Sequence, residues 1–427
     1  MFTNVKVSRL ILVLSAIAIV GPGCDVVNVP PGAGGNIDPG RRGDTLFTVV
    51  KTNIDVRHDA ALRAGDDLVA FGTGPTTGVS YIIPSTNPDA GIAVPSSDDY
   101  DSGAFAVGGQ RVFLVGSNTR ALAFQVSVFD AMTGAITHTF PATDIRVGAI
   151  PASEEDAGNI RADGDFCVVI CDQNTVTDGR IVKVINAGTN PPTLISFGIN
   201  PTSSHFQVDQ VDIDAATRRV VVVANSTFYA YDLDAPNAPP IQIAAPNGVG
   251  NVQIELAGDY VLALDNQAFG EAFLVDIAGQ AIVPLANSTA TLDVAIANNV
   301  FAFFADAVAD DRGGGGQRAA VGTIPGPDFA KAAVGQFIDG STANNGLVGY
   351  GGSMSVTPGG EYLFLSDGYL QFSSGNSVFT VLPDPDGSDA YGTPALDVDC
   401  SASTVAFKTS SGRMATTTTK VGYIVLP

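Results

Sequence analysis

The chain has 427 residues, of which 45% are hydrophobic and 15% are charged, so it holds ample material for an apolar core and is not an intrinsically disordered protein. Its 43 acidic residues outnumber 21 basic ones, which gives a formal net charge of −22. Such a surface repels the phosphate backbone and anionic lipid, so we expect no nucleic acid partner and no electrostatic adhesion to membranes.

The first residues have the pattern of an export signal. Lys6 and Arg9 precede an apolar run from Leu10 to Val20. This run is too short to cross a bilayer core of about 30 Å as a helix, but it has the length of the apolar segment of a signal peptide. Residues 1–23 are therefore predicted to be a signal peptide, and the protein is predicted to be exported.

A small-residue segment, Val20-Gly-Pro-Gly-Cys24, follows and ends in cysteine. It resembles the lipobox of bacterial lipoproteins, in which this cysteine becomes the lipidated N-terminus. The resemblance implies that Cys24 is lipidated and that only this lipid anchor attaches the protein to a membrane of the cell envelope, facing the periplasm or the exterior. An ordinary cleaved signal with a chance cysteine is the alternative. Residues 24–44 are rich in glycine and proline, which predicts a flexible tether.

Three cysteines remain after Cys24. Cys167 and Cys171 lie in one predicted strand, where a separation of four residues places them about 13 Å apart, beyond disulfide reach. With Cys400 they are predicted to be buried small apolar residues rather than a disulfide framework.

Residues 45–427 repeat a pattern of four short strands. The clearest unit has strands at Gln210–Asp214, Arg219–Asn225, Thr227–Leu233 and Pro240–Ala244, and the next begins at Val252. A spacing of about 40 to 60 residues without helical segments is typical of propeller blades. The other units are predicted to begin near Asn53, Gly103, Asn159, Leu292, Gly352 and Leu396.

The pattern predicts an all-β fold, a monomeric eight-bladed β-propeller with four-stranded blades. The last unit lacks one strand, and Thr45–Val50 is predicted to complete it and close the ring. Seven blades are the alternative if the first or sixth unit is not a blade, and a pair of β-sandwiches is the other architecture. The repeats resemble those of bacterial propellers with YVTN-like or quinoprotein-like repeats, in architecture only, because the chain has no tryptophan for their Trp-bearing motifs.

Polar residues recur near the start of the predicted innermost strands. We expect them at one mouth of a central channel, where converging carboxylates would raise one another's pKa or recruit a hard cation such as Ca²⁺. The alternative is that they bond local turns. They are Asp55, Asp212, Asp293, Asp397, Arg161 and Gln253.

Further carboxylates follow the second strands and predict an acidic loop face at the same mouth. They are Asp172, Asp265, Asp306, Asp310 and Asp311. Separately, Asp384, Asp386 and Asp389 alternate around a glycine, as in a calcium loop, although a surface turn needs no metal.

Enzymatic signals are sparse. His58, His138 and His205 have none of the zinc spacings, and the chain lacks a Gly-x-Ser-x-Gly motif. The first hypothesis is a non-catalytic scaffold whose acidic loop face binds an envelope protein or polysaccharide, with Ca²⁺ as a structural cofactor. The alternative is a metal-dependent hydrolase, similar to propeller lactonases, with a carboxylate site at the channel mouth.

Overall fold

The protein was analysed as a computed structural model. It describes residues 47, 49–57, 62–72, 79–87, 91–95, 105–118, 123–141, 144–145, 160–172, 180–198, 208–246, 252–265, 271–287, 294–306, 317–325, 329–339, 354–365, 368–372, 378–381, 395–409 and 418–426. Within these ranges the predicted all-β fold is confirmed, since they contain 32 strands and one short 3-10 helix, Phe329–Lys331. No helix among the described residues has the length and apolar character needed to cross a membrane.

The described strands form eight antiparallel four-stranded sheets, which we number 1 to 8. The first strand of the chain, β1 (Val49–Arg57), belongs to sheet 8. Sheet 1 contains β2 (Leu62–Gly65), β3 (Leu68–Gly72), β4 (Val79–Pro84) and β5 (Ile92–Pro95). Sheet 2 contains β6 (Phe105–Gly108), β7 (Arg111–Asn118), β8 (Ala123–Asp130) and β9 (Ile136–Phe140). Sheet 3 contains β10 (Ile160–Asp163), β11 (Phe166–Asp172), β12 (Arg180–Asn186) and β13 (Thr193–Ser196).

The middle of the chain forms the next three sheets. Sheet 4 contains β14 (Val208–Asp214), β15 (Arg219–Ala224), β16 (Thr227–Asp232) and β17 (Ile241–Ala244). Sheet 5 contains β18 (Val252–Ala257), β19 (Tyr260–Asp265), β20 (Glu271–Asp276) and β21 (Ala281–Asn287). Sheet 6 contains β22 (Val294–Ala297), β23 (Val300–Asp306), β24 (Gln317–Thr323) and β25 (Ala333–Asp339).

The last two sheets bring the two ends of the described chain together. Sheet 7 contains β26 (Met354–Val356), β27 (Tyr362–Leu365), β28 (Gly368–Gln371) and β29 (Val378–Val381). Sheet 8 contains β30 (Ala395–Cys400), β31 (Thr404–Thr409), β32 (Thr418–Val425) and β1, in that order.

The strand sequences follow the burial of each position in a sheet. β15 has the sequence RVVVVA and is buried along nearly its whole length, as is typical of a strand covered on both faces. In β18 buried and half-buried residues alternate, so one face packs and the other carries polar side chains. β17, at the edge of its sheet, has only one buried residue.

Tight turns join neighbouring strands. Asn225 and Ser226 both have positive φ (48° and 55°) and connect β15 to β16, the geometry that two-residue hairpins favour. Gly108 shows how closely consecutive sheets approach at the turns, because a Cβ there would lie 2.6 Å from the carbonyl oxygen of Gly164 in sheet 3. Only glycine fits this contact.

Consecutive sheets pack on one another through their first strands. The first strand of each sheet contacts that of the next, from β2 through β6, β10, β14, β18, β22 and β26 to β30, and β30 contacts β2. Apolar clusters fill the spaces between successive sheets; one example joins Val211 and Ile213 of sheet 4 to Val168 of sheet 3. This cyclic succession of four-stranded sheets is typical of a β-propeller.

The strand that joins the chain ends is displaced from its predicted position. The prediction placed it at Thr45–Val50, whereas the observed β1 is Val49–Arg57, paired with β32 from Val49↔Ile424 to Arg57↔Thr418. Asn53–Val56, predicted to be the innermost strand of the first unit, is therefore part of the outer strand of sheet 8. The first strand of sheet 1 is β2, which lies later in the chain.

Candidate functional site

Eight first-strand residues occupy equivalent positions, and they include two of the predicted site residues. Each pairs with the third residue of the second strand in its sheet, as Asp212 pairs with Val221. We call these eight residues the first-strand layer. In sheet order they are Arg63, Ala106, Arg161, Asp212, Glu255, Ala295, Ser355 and Asp399.

Three members of the first-strand layer bind the following sheet with the same hydrogen bond. Asp212 Oδ2 accepts the backbone N–H of Leu256 at 2.6 Å, which joins sheet 4 to sheet 5. Asp399 Oδ2 accepts the N–H of Ala64 at 2.8 Å and so joins sheet 8 to sheet 1. Ser355 Oγ accepts the N–H of Cys400 at 3.1 Å. An acceptor side chain in this layer thus links its sheet to the next one by a hydrogen bond.

The last residues of two first strands, two positions nearer the turn than the first-strand layer, make the same kind of hydrogen bond. Asp163 Oδ2 accepts the N–H of Ala215 at 2.7 Å, and Asp214 Oδ2 accepts the N–H of Gly258 at 2.7 Å. Asp214 Oδ1 also accepts the N–H of Thr217 in its own turn at 2.7 Å. Backbone donors therefore bind both oxygens of the Asp214 carboxylate.

The most perturbed carboxyl of the group is Asp212, which is 9% exposed. Burial raises its pKa to about 6, against the opposing effects of Arg161 and of the N–H groups of Leu256 and Ile213. Burial also raises the pKa of Asp163, against the bond from Ala215. At Asp212 and Asp163 the pKa is therefore higher than that of the same carboxyl in water, which disfavours the ionised form.

The structure divides the predicted channel-mouth residues. Asp212 and Arg161 share the first-strand layer, whereas Gln253 and Asp397 lie two residues nearer the start of their strands than Glu255 and Asp399 do. The placement of Asp55 is corrected: it lies on β1, opposite Lys420, at the other edge of its sheet from the first strand β30. The residues around Asp55 have the sequence pattern of a first strand, but their pairing with β32 puts them in the outer strand of sheet 8. Asp293 lies outside the described residues.

Three residues of the predicted loop face end second strands. Asp172, Asp265 and Asp306 are the last residues of β11, β19 and β23, and Asp265 is buried opposite Val252, the first residue of β18. The connections to the third strands leave from this end of the sheets. The remaining predicted residues, Cys24, Asp310, Asp311, Asp384, Asp386 and Asp389, lie outside the described residues.

Sequence reasoning missed Glu255, Ser355 and Asp399. It also missed Asp163 and Asp214, which accept hydrogen bonds from the next sheet. The turn between the first and second strands is the signal that could have identified these residues. Aligning the first strands by their pairing across this turn gives all eight residues equivalent positions. Aligning them by an assumed strand start instead puts Asp397 in the position of Asp399.

Among the described residues, no group of three or more histidine, cysteine or acidic side chains is placed to hold a metal ion. Cys167, Cys171 and Cys400 form no disulfide; Cys167 and Cys171 are buried, as predicted, whereas Cys400 is only half-buried. Burial raises the pKa of Cys167 and of Cys400, which makes both thiols poor nucleophiles. His138 stacks edge-on against Phe140 with ring centroids 4.4 Å apart.

Comparisons with known proteins give no family for this chain. No protein-family model matches it, and no curated protein matches it. Among solved structures it is similar to a putative 6-phosphogluconolactonase from Bacteroides fragilis, with 10% identity over 78% of this chain and 97% of that one, at a TM-score of 0.42. It is also similar to the hydrazine synthase of Kuenenia stuttgartiensis, with 13% identity over 86% and 96%, at a TM-score of 0.43. Since both TM-scores are below 0.5, the fold description depends on the strand pairing of this chain alone.

Proposed function

We propose that this protein is an exported, lipid-anchored, eight-bladed β-propeller that acts as a non-catalytic binding scaffold. In this proposal the eight sheets are the blades, β1 closes the ring by completing sheet 8, and Cys24 carries the anchor. The cyclic contacts of the first strands and the β1–β32 pairing support closure.

The observation that carries the non-catalytic assignment is the use of the first-strand carboxylates. Asp163, Asp212, Asp214 and Asp399 each accept a backbone N–H of the next sheet, so their oxygens serve the framework. A metal-dependent hydrolase instead needs carboxylates that converge on one ion and leave a coordination position open. Backbone-bound carboxylates favour the scaffold.

The binding surface of the proposal is the acidic loop face. Asp172, Asp265 and Asp306 mark the ends of the second strands, and the loop with Asp310 and Asp311 begins there. Loops on a rigid framework are common recognition sites. The partner would be a protein or polysaccharide of the cell envelope, with Ca²⁺ as a structural ion at Asp384, Asp386 and Asp389.

In-cell photo-crosslinking tests this proposal. A crosslinking amino acid replaces Asp310 in the loop face or, as a control, Gln280, which is exposed in a turn at the opposite end of sheet 5. The proposal expects reproducible capture of one envelope component from position 310 and none from position 280. Equal capture from both positions, or no capture together with hydrolysis of a lactone substrate, would contradict it.

A Cys24→Ala variant tests the anchor in the same experiment. It keeps the folded domain but removes the lipid attachment, so the variant is expected to leave the membrane fraction. Retention at the wild-type level would exclude lipidation of Cys24 as the means of attachment.

A further inference from the structure

Carboxylates cluster where sheets 3, 4 and 5 meet. At its centre is Asp212, whose Oδ2 accepts the N–H of Leu256 at 2.6 Å and whose Oδ1 accepts the N–H of Ile213 at 2.9 Å. Asp163 and Asp214 flank it with bonds to the next sheets. Two backbone donors hold Asp212 in place, and its side chain is almost wholly removed from solvent.

Burial is the main cause that raises the pKa of Asp212; the Arg161 guanidinium lowers this pKa more than the Asp163 carboxylate raises it. The first strands β10, β14 and β18 together carry one basic residue, Arg161, and five acidic residues. The acidic residues of these strands are Asp163 on β10, Asp209, Asp212 and Asp214 on β14, and Glu255 on β18. β11, which also packs against β14, carries Asp172, and the Arg219–Asp259 ion pair lies at the turns.

We propose that this cluster binds a proton in mildly acidic surroundings and that the contact between sheets 4 and 5 becomes more stable when it does. A proton on Asp212 removes a charge that is buried and repelled by Asp163. The protonated carboxyl still has a carbonyl oxygen that accepts the N–H of Leu256, so the hydrogen bond between the sheets is kept. The stability of the contact between sheets 4 and 5 would therefore depend on pH, whether or not the protein is exported.

The direction of the pH dependence follows from the raised pKa. The pKa of Asp212 in the folded protein is about 6, above the ordinary value of 3.8, so the folded protein binds this proton more tightly than the unfolded chain does. The resulting stabilisation is complete below about pH 4 and is lost as the pH rises through about 6. A shift of roughly two units corresponds to about a 100-fold change in the ratio of folded to unfolded protein.

An Asp212→Asn variant tests the proposal, because asparagine keeps an acceptor for Leu256 and carries no charge. Urea unfolding of the full chain is measured from about pH 4 to about pH 7.5. We expect the variant to exceed wild type by up to about 100-fold in folding equilibrium constant at the upper pH and by nothing at the lower pH. Asp276→Asn is the control, since Asp276 bonds only the turn residue Gly279 in the described contacts. If the two variants have parallel pH profiles, the proposal fails.

Infrared difference spectroscopy gives a readout that does not depend on variant stability. The spectrum of wild type minus Asp212→Asn should contain the carbonyl band of a protonated carboxyl, disappearing with a midpoint near pH 6. A midpoint near pH 4 would overturn the proposal. Calcium chloride added at neutral pH should leave the difference between the two proteins unchanged; if calcium alone reproduces the acid stabilisation, the cluster is a cation site instead.

Discussion

The contact between sheets 8 and 1 and the contact between sheets 4 and 5 use the same first-strand bond in different surroundings. In both, a carboxylate accepts an N–H of the following sheet, from Asp399 to Ala64 at 2.8 Å and from Asp212 to Leu256 at 2.6 Å. The 4/5 contact joins sheets that follow one another in the chain. The 8/1 contact must be made between sheets formed by opposite ends of the domain.

The neighbours of these two bonds differ in chemistry. At the 4/5 contact they are ionic, namely the Asp214–Gly258 bond and the Arg219–Asp259 ion pair. At the 8/1 contact hydroxyl groups dominate: Ser401 Oγ donates to the Gly65 carbonyl at 2.9 Å, Ser403 Oγ accepts the Asp67 N–H at 2.8 Å, and Tyr423 Oη donates to the Ser85 carbonyl at 2.8 Å.

The apolar cores differ in the opposite sense. Among the described residues, the cluster between sheets 4 and 5 contains 13 buried residues, including Phe228 and Phe273, whereas the cluster between sheets 8 and 1 contains six. The large core stabilises the 4/5 contact enough to tolerate buried carboxylates. Because the core of the 8/1 contact is smaller, neutral hydrogen bonds and Tyr423 contribute a larger share of the stability of this contact.

Replacing Tyr423 by alanine should have the largest effect. The ring is fully buried in the small core of the 8/1 contact, so we expect a loss of about 3–5 kcal/mol in the free energy of unfolding. Tyr423→Phe removes only the hydroxyl that binds Ser85 and should cost about 1 kcal/mol. Urea unfolding measures both. A loss below about 1 kcal/mol for the alanine variant would mean that this core does not stabilise the 8/1 contact.

Removing the two equivalent carboxylates should separate the contacts further. Asp399→Ala leaves the Ala64 N–H without its side-chain acceptor and should cost about 1–3 kcal/mol. Asp212→Ala leaves the Leu256 N–H in the same situation, but it also removes a charge that burial disfavours, so at neutral pH its cost should be smaller. Unfolding at about pH 7 compares them. Equal costs would mean that the surroundings of the bond do not matter.

Much of the fold could be predicted from the sequence because its signals are local. The alternation of β-branched and polar residues in β14 to β21 and the turns between these strands place two sheets almost residue by residue. The first sheet was misassigned because Asn53–Val56 has the same local pattern as a first strand. Its position depends instead on pairing with β32, more than 360 residues away in the chain, which no local pattern encodes.

The candidate site was less predictable for a related reason. The sequence indicates that Asp212 belongs to a recurring polar position, but its role depends on the N–H of Leu256 in another sheet. Asp399 escaped notice because Asp397, two residues earlier on the same face, fitted the assumed strand start equally well. A period of two identifies the face of a strand but not the register.

A smaller effect is expected at the turns of the 8/1 contact. Ser403 Oγ accepts the N–H of Asp67, which is exposed, so Ser403→Ala lets water replace the lost acceptor. We expect a loss of about 0.5–1 kcal/mol, less than that of Asp399→Ala. The measurement is again urea unfolding, with Ser127→Ala as a control for a serine hydroxyl that bonds Thr139 within sheet 2. A larger loss for Ser403 than for Asp399 would reverse the assigned order.

The smallest effect should come from the Arg219–Asp259 ion pair, although it joins sheets 4 and 5. The Asp259 side chain is 48% exposed, so water and salt screen the attraction, and a coupling energy of about 0.2–1 kcal/mol is expected. A double-mutant cycle with Arg219→Met and Asp259→Asn measures it. The matched pair is Arg218–Asp234, at 2.6 Å within sheet 4, with side chains 38% and 65% exposed. Similar, salt-sensitive coupling energies would show that an ion pair between sheets adds no more stability than an ion pair within a sheet. A several-fold larger coupling energy for Arg219–Asp259 would mean that charge, rather than the apolar core, mainly stabilises the 4/5 contact.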